Sequence, residues 1–261
     1  MSETTFSPGL LGWLLIALRG ALFLILSLAG LILLVIARGL EWALLKGRPL
    51  VTPAIAQGMS RTTLWLFGFR LSVSGRPDPA ASALVANHIS WVDILAINAA
   101  DRVSFVAKGD VAGWPVISWL ARAVGTVFVG RVRAHVTRHV ARVAEGIGAG
   151  RKIAFFPEPA VGTGAEVLPF RSSLFDAIIK AGGTRVQPVT VRYLGGADGD
   201  GAFYSWGLKQ PFRPHVLKVL AKWRQGPVSL TFHPSLPVSA ETDRKQLARA
   251  CELVVRDGLS G

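Results

Sequence analysis

Leu84-Val-Ala-Asn-His-Ile-Ser-Trp-Val-Asp-Ile94 is the stretch on which the fold and the chemistry both turn. Leu84, Val85 and Ala86 form a short apolar run of the kind that makes a buried strand. The run ends at Asn87, and His88 follows at its mouth. Asp93 lies five residues after His88, at the start of a helix-like segment. In open α/β sheets, chemistry collects just beyond the carboxyl ends of strands. A histidine there can take a proton from a hydroxyl near neutral pH. It needs an acceptor on its other ring nitrogen, and a carboxylate five residues on, across a strand-to-helix turn, can fold back to supply one. On the residues alone the alternative stays open: a hydrogen-bonded structural histidine beside a helix cap.

Working outward, β-type runs alternate with helical ones. Strands are expected at Leu71–Ser74, Ala83–Ala86, Val103–Ala107, Thr126–Val129, Lys152–Phe156, Val186–Tyr193 and Val228–Phe232. Helices are expected at Trp91–Ala99, Val116–Val124, His135–Ile147, Ser173–Lys180 and Ala240–Arg256. That alternation predicts an α/β domain, a mainly parallel sheet flanked by helices.

Asn87-His88-x-x-Trp91-x-Asp93 resembles the signature of the glycerolipid (lysophospholipid) acyltransferase family, the NHxxWxD form of its H-x4-D motif. Further blocks follow in the family's order. Phe105-Val-Ala-Lys108 with Trp114-Pro115 is similar to the segment after the first motif. Gly125-Thr-Val-Phe-Val-Gly-Arg131 is similar to the second. Phe155-Phe-Pro-Glu158 resembles the start of the third and Leu168-Pro-Phe170 the segment after it. Val186-Gln-Pro-Val189 resembles the fourth. The resemblance covers roughly residues 60–235. It implies acyl transfer from an acyl thioester, acyl-CoA or an acyl carrier protein, to a lysolipid hydroxyl, with no other cofactor and no metal. His88 is then the general base and Asp93 its orienting partner. Arg131, Glu158 and Lys108 match positions toward the acceptor, with Asn87, Trp91 and Pro157 supporting the motifs. An arginine fork suits phosphate or carboxylate; a solvated surface role remains open for Arg131 and Lys108.

The third motif departs from the family. Where the family continues with Gly and then Thr or Ser, this chain has Pro159-Ala-Val-Gly-Thr163. Proline fixes φ and removes a backbone donor. Thr163 and Arg171 are the nearest candidates to replace the missing groups. The first-ranked acceptor is 1-acyl-glycerol-3-phosphate, giving phosphatidate. The alternative is a lyso-ornithine lipid, because Phe203-Tyr-Ser-Trp206 followed by Pro214-His-Val-Leu217 is also similar to bacterial lyso-ornithine lipid acyltransferases. Pro159 motivates a reading from another class, a catalytically impaired protein that binds lipid or an acyl carrier.

Composition frames these readings. Of 261 residues, 51% are hydrophobic and 17% charged, against about 25% charged in ordinary soluble domains. Disorder is excluded. Cys251 is the single cysteine, so neither an intrachain disulfide nor a multi-cysteine zinc site is possible. GxSxG, GxxxxGK[ST] and HExxH are all absent. The net charge of +13 attracts polyanions. Basic residues are scattered without an aromatic-interleaved array, so nucleic acid is not an expected partner.

Anionic membrane lipid is the expected polyanion. Gly20 to Ala37 contains no charge, Leu10 to Leu18 is also apolar, and only Arg19 divides them. As a helix, the uncharged run would measure about 27 Å, close to a bilayer core of about 30 Å. Residues 1–50 are therefore expected to be a membrane-anchoring helix or helix pair, and 51–261 the acyltransferase domain. Arg38, Lys46, Arg48 and the basic body after the run place that domain on the cytoplasmic face of an inner membrane.

Overall fold

The computed structural model describes residues 7–108, 126–129, 136–182, 184–194, 201–206 and 211–260. Its order is α1 (Leu10–Leu45), α2 (Thr52–Phe67), β1 (Leu71–Ser74), β2 (Ala83–Ala86), α3 (Val92–Ala100), β3 (Ser104–Lys108), β4 (Val127–Val129), α4 (Val136–Gly148) and β5 (Ile153–Phe155). Then come α5 (Ser173–Lys180), β6 (Arg185–Tyr193), a 3₁₀ turn (Gly201–Tyr204), α6 (Phe212–Ala221), β7 (Val228–Phe232), β8 (Leu236–Pro237) and α7 (Arg244–Ser260).

The strands form one sheet in the order β1-β7-β6-β2-β5-β3-β4, with β8 also on β6. Most pairings are parallel, as the alternation predicts. The sheet is nevertheless mixed, because β6 runs antiparallel to both β7 and β8. The central strand β2 pairs in parallel with β5 on one side and β6 on the other, and all four of its residues are buried. Burial on both faces explains why it reads as an unbroken apolar run. The expected helix at Val116–Val124 lies outside the described residues.

The apolar core divides across the sheet. Leu84 and Ala86 point to one side, with Ile97 of α3, Phe67 of α2 and Val219 of α6. Ala83 and Val85 point to the other, with Phe175 of α5 and Cys251 of α7. Glycine permits two close approaches. Gly75 has φ +73°, and a Cβ there would sit 2.1 Å from the Phe232 carbonyl oxygen. On α7, a Cβ at Gly258 would sit 2.5 Å from Thr190 Oγ1.

The N-terminal region is a single helix of 36 residues, about 54 Å long, rather than a pair. Among the described residues it is the one helix long and apolar enough to cross a membrane. It is not free of the body. Leu15, Arg19, Ser27, Gly30, Leu34, Ala37 and Glu41 form a buried stripe along its length, and it packs on α2 and α6. Arg19 does more than interrupt the apolar runs. It is 7% exposed and donates from Nη1 to the carbonyls of Leu220 and Lys222, each at 2.7 Å, and from Nη2 to Trp223 O at 3.4 Å. These carbonyls close the C-terminal end of α6, where a cation is favoured. At the other end of α1, Glu41 Oε1 accepts the amides of Leu50, Val51 and Thr52 at 2.6–2.8 Å, caps that open α2. The opposite side of α1 is exposed and apolar, including Leu18, Leu22, Ile25, Ile32, Val35 and Trp42.

Candidate active site

The site forms where β2 stops. The ladder to β6 ends with Ala86 opposite Val189. From there the Asn87 side chain replaces the backbone as the partner of β6. Its amide nitrogen donates to Val191 O at 3.0 Å, and its oxygen accepts from Val191 N at 2.8 Å. This frees the main chain to turn at His88.

The backbone of the turn is densely hydrogen-bonded. The His88 amide donates to Glu158 Oε1 at 2.7 Å, and the His88 carbonyl accepts from Gly162 N at 2.7 Å. The amides of Ile89 and Ser90 both donate to Asp93 Oδ2, at 2.7 and 2.8 Å. The Ile89 carbonyl accepts from Trp206 N at 2.9 Å, and the Ser90 carbonyl from Asp93 N at 3.1 Å. Loops after β5 and around the 3₁₀ turn thus grip the segment, and Ser205 joins them by donating from Oγ to Gly162 O at 2.9 Å.

Asp93 sits in the first turn of α3, fully buried, where the helix favours a negative charge. His88 Nδ1 lies 2.9 Å from Asp93 Oδ2. An ionised carboxylate only accepts, so Nδ1 carries the proton and Nε2 keeps its lone pair. The imidazole is 18% exposed while its partner is sealed. Phe156 stacks on it at 4.0 Å with planes 12° apart. The two residues picked out in sequence are therefore brought together, imidazole against carboxylate.

Other expected residues take varied places. Pro157 is buried, and its carbonyl accepts from Arg171 N at 2.9 Å. Trp91 packs edge-on against Phe67 at 5.9 Å. Glu158 turns inward: besides the His88 amide, it accepts from Leu168 N at 3.0 Å through Oε2. Burial pushes its carboxyl up to about 7 despite these donors. Thr163 and Arg171 are exposed. Lys108 closes β3, with its backbone opposite Val129. Arg131 lies outside the described residues.

Sequence reasoning missed Tyr193. It ends β6, and its hydroxyl donates to Asp93 Oδ1 at 2.6 Å. The one signal was a hydroxyl at the end of an apolar strand, which without the pairing order points to nothing.

A sequence model of the family described as Acyltransferase matches residues 76–192, spanning the turn at His88, Glu158 and β6 up to Arg192. A lyso-ornithine lipid O-acyltransferase of Rhodobacter capsulatus is 42% identical over 97% of this chain and 92% of its own length. The chain belongs to the glycerolipid acyltransferase family. Within that family, a lyso-ornithine lipid O-acyltransferase of Rhizobium meliloti is 30% identical over 96% of this chain and 88% of its own. A 1-acyl-sn-glycerol-3-phosphate acyltransferase of Neisseria gonorrhoeae is 37% identical over 46% of this chain and 48% of its own. The acyltransferase fold itself matches the crystal structure of the 1-acyl-sn-glycerophosphate acyltransferase PlsC from Thermotoga maritima. The TM-score is 0.63 at 21% identity, covering 93% of this chain and 96% of that one.

Proposed function

We propose that this acyltransferase moves a fatty acyl group from an acyl thioester to the hydroxyl of a lyso-ornithine lipid. The observation that carries the acceptor is the 42% identity to the Rhodobacter capsulatus enzyme across nearly both whole chains. The match to the Neisseria gonorrhoeae 1-acyl-sn-glycerol-3-phosphate acyltransferase covers less than half of this chain. Lysophosphatidate, ranked first from sequence, therefore yields to the alternative. The block Phe203-Tyr-Ser-Trp206, which prompted that alternative, sits against the site through the bond from Trp206 N to Ile89 O.

In this mechanism, His88 Nε2 takes the proton of the acceptor hydroxyl as the oxygen attacks the thioester carbonyl. Asp93 steadies the imidazolium that forms. The tetrahedral adduct collapses with cleavage of the carbon–sulfur bond, and the leaving thiolate recovers the proton from His88. No acyl-enzyme is required, and Cys251 is buried with its thiol pushed up to about 12, far from nucleophilic. The donor is acyl-CoA or an acyl carrier protein; the basic body suits an acidic carrier.

The apolar outer face of α1 with Trp42, joined by Trp65 of α2, each tryptophan 77% exposed, is the surface that meets lipid in this reading. One face of α1 is packed on the body from Leu15 to Glu41, so in this reading the helix attaches along its length; Arg38, Lys46 and Arg48 after the apolar run support a cytoplasmic placement at an inner membrane.

The test offers labelled acyl thioester with lyso-ornithine lipid and lysophosphatidate in parallel, wild type against His88→Ala. Wild type should acylate lyso-ornithine lipid, and the variant neither lipid. Preference for lysophosphatidate would overturn the acceptor; activity surviving in the variant would overturn the base.

A further inference from the structure

Asp93 has two oxygens, and the site needs only one of them for His88. Oδ2 serves His88 Nδ1 and the amides of Ile89 and Ser90. Oδ1 is reached from a different strand, one hundred residues along the chain, by the Tyr193 hydroxyl at 2.6 Å. The terminal torsion of a carboxylate is soft, and a donor on the second oxygen narrows it. A partial turn would carry Oδ2 out of line with the imidazole nitrogen.

Tyr193 is itself held. Its ring stacks on Tyr204 at 5.0 Å, planes 24° apart. Tyr204 is fully buried, and its hydroxyl accepts the Gly226 amide at 2.6 Å. The Asn87 bonds to Val191 fix β6 against the catalytic turn two residues before Tyr193. Burial and the adjacent Asp93 charge raise the phenol well above its usual range, so it remains a donor.

We propose that Tyr193 is a positioning residue for acyl transfer: its hydroxyl holds Asp93 Oδ1, so that Oδ2 alone is presented to His88 and Nε2 is aimed at the acceptor hydroxyl. The role rests on His88 being the base. Tyr193 touches no reacting atom and acts through Asp93. By drawing charge from the carboxylate, it also tempers the pull of Asp93 on the His88 proton. Removing the donor strengthens that pull, holds the imidazolium more tightly and moves the acid limb of the rate profile to higher pH.

Among the described residues, the titratable groups facing His88 are Asp93 from α3, Glu158 from the loop after β5 and, behind Asp93, Tyr193 from β6. Glu158, pushed up to about 7 by burial, is unchanged between wild type and variant, so the difference between their profiles reports on Tyr193.

The experiment measures kcat, KM and kcat/KM against pH for wild type, Tyr193→Phe and His88→Ala, with lyso-ornithine lipid, lysophosphatidate and acyl thioester, alongside thermal unfolding. For Tyr193→Phe, kcat should fall about tenfold, as for a lost bond to a charged group. Both KM values should stay within about twofold, because no substrate contact is removed. The midpoint of the acid limb should rise by about half a unit. A second variant, Tyr193→3-fluorotyrosine, keeps the ring and strengthens the donor, and its midpoint should move down; it decides the matter if Tyr193→Phe does not fold. Wild-type kcat and midpoint in folded Tyr193→Phe, with His88→Ala inactive, would overturn the positioning role and leave the base in place. A lower kcat with an unmoved midpoint would also overturn it, since loosened packing alone gives that result. Activity in His88→Ala would remove the base itself, and the positioning role with it.

Discussion

Asp93 and Arg19 are both charges taken out of water, and both are satisfied by groups distant in sequence. Asp93, at the start of α3, collects two backbone amides, a phenol and an imidazole. Arg19, within α1, spreads its guanidinium over three carbonyls at the end of α6. Each complements a helix terminus of opposite sign. They differ in what lies beyond. Among the described residues, every partner of Arg19 is a backbone oxygen, so the interaction ends there and joins two helices. One partner of Asp93 is a side chain that still reaches solvent and keeps a lone pair. Burial with saturation gives structure, and the same arrangement with one open end leaves the lone pair that the proposed chemistry uses.

The sharpest way to break the comparison is at Asp93. Asp93→Asn keeps the shape but loses the charge and its hold on the His88 tautomer, and kcat should drop about a thousandfold with the chain still folded. A drop of only a few-fold, measured by single-turnover acylation, would equate Asp93 with Arg19. At Arg19 the effect should fall on stability. Arg19→Leu orphans carbonyls at the end of α6 and should lower unfolding free energy by about 2 kcal/mol. Acylation by the folded fraction should remain within about threefold of wild type. Denaturation in detergent with a parallel activity assay separates the two.

Smaller effects sharpen the contrast through pH. Glu158 has its carboxyl raised to about 7 by burial. Folding favours its protonated form, so its contribution to stability is complete below about 4.5 and is lost as pH rises toward 7. The melting temperature of wild type should therefore decline over that window relative to Glu158→Gln. His215, buried on α6 and pushed down to about 4 by desolvation with Lys218 nearby, gives the opposite sign. It folds neutral, so its contribution is present above about 6.5 and is lost as pH falls toward 4. His215→Phe should flatten that acid-side decline, visible as a shallower slope of melting temperature against pH.

The sequence was readable where one residue's environment is local. Leu71–Ser74, Ala83–Ala86, Val228–Phe232 and Ser173–Lys180 appear with the expected bounds, because apolar runs between turn residues specify them. His88 and Asp93 were readable because five residues span a single turn. Helix α2 escaped notice because Thr52, Gln57, Ser60 and Thr63 occupy its buried face, which erases the apolar period. Its Gln57 and Arg61 side chains donate to Ala99 O, at 3.3 and 2.8 Å, and the α1–α2 contact is close enough that a Cβ at Gly30 would meet Met59. Helix α6 also went unread, and its carbonyls explain why Arg19 is tolerated in an apolar helix. The antiparallel course of β6 beside β7 and the reach of Tyr193 to Asp93 depend on strand order, which local pattern does not encode. Glu158, expected toward the acceptor, shows how a motif position and a backbone brace can coincide.

The length over which α1 is fastened to the body has a kinetic meaning. On the proposed attachment, the enzyme meets its lipid acceptor by lateral diffusion within a sheet rather than by collision in solution. Its effective substrate concentration is a mole fraction of the surface. Adding inert lipid or detergent at constant acceptor should slow turnover as that fraction falls, although the bulk molarity of every reactant is unchanged.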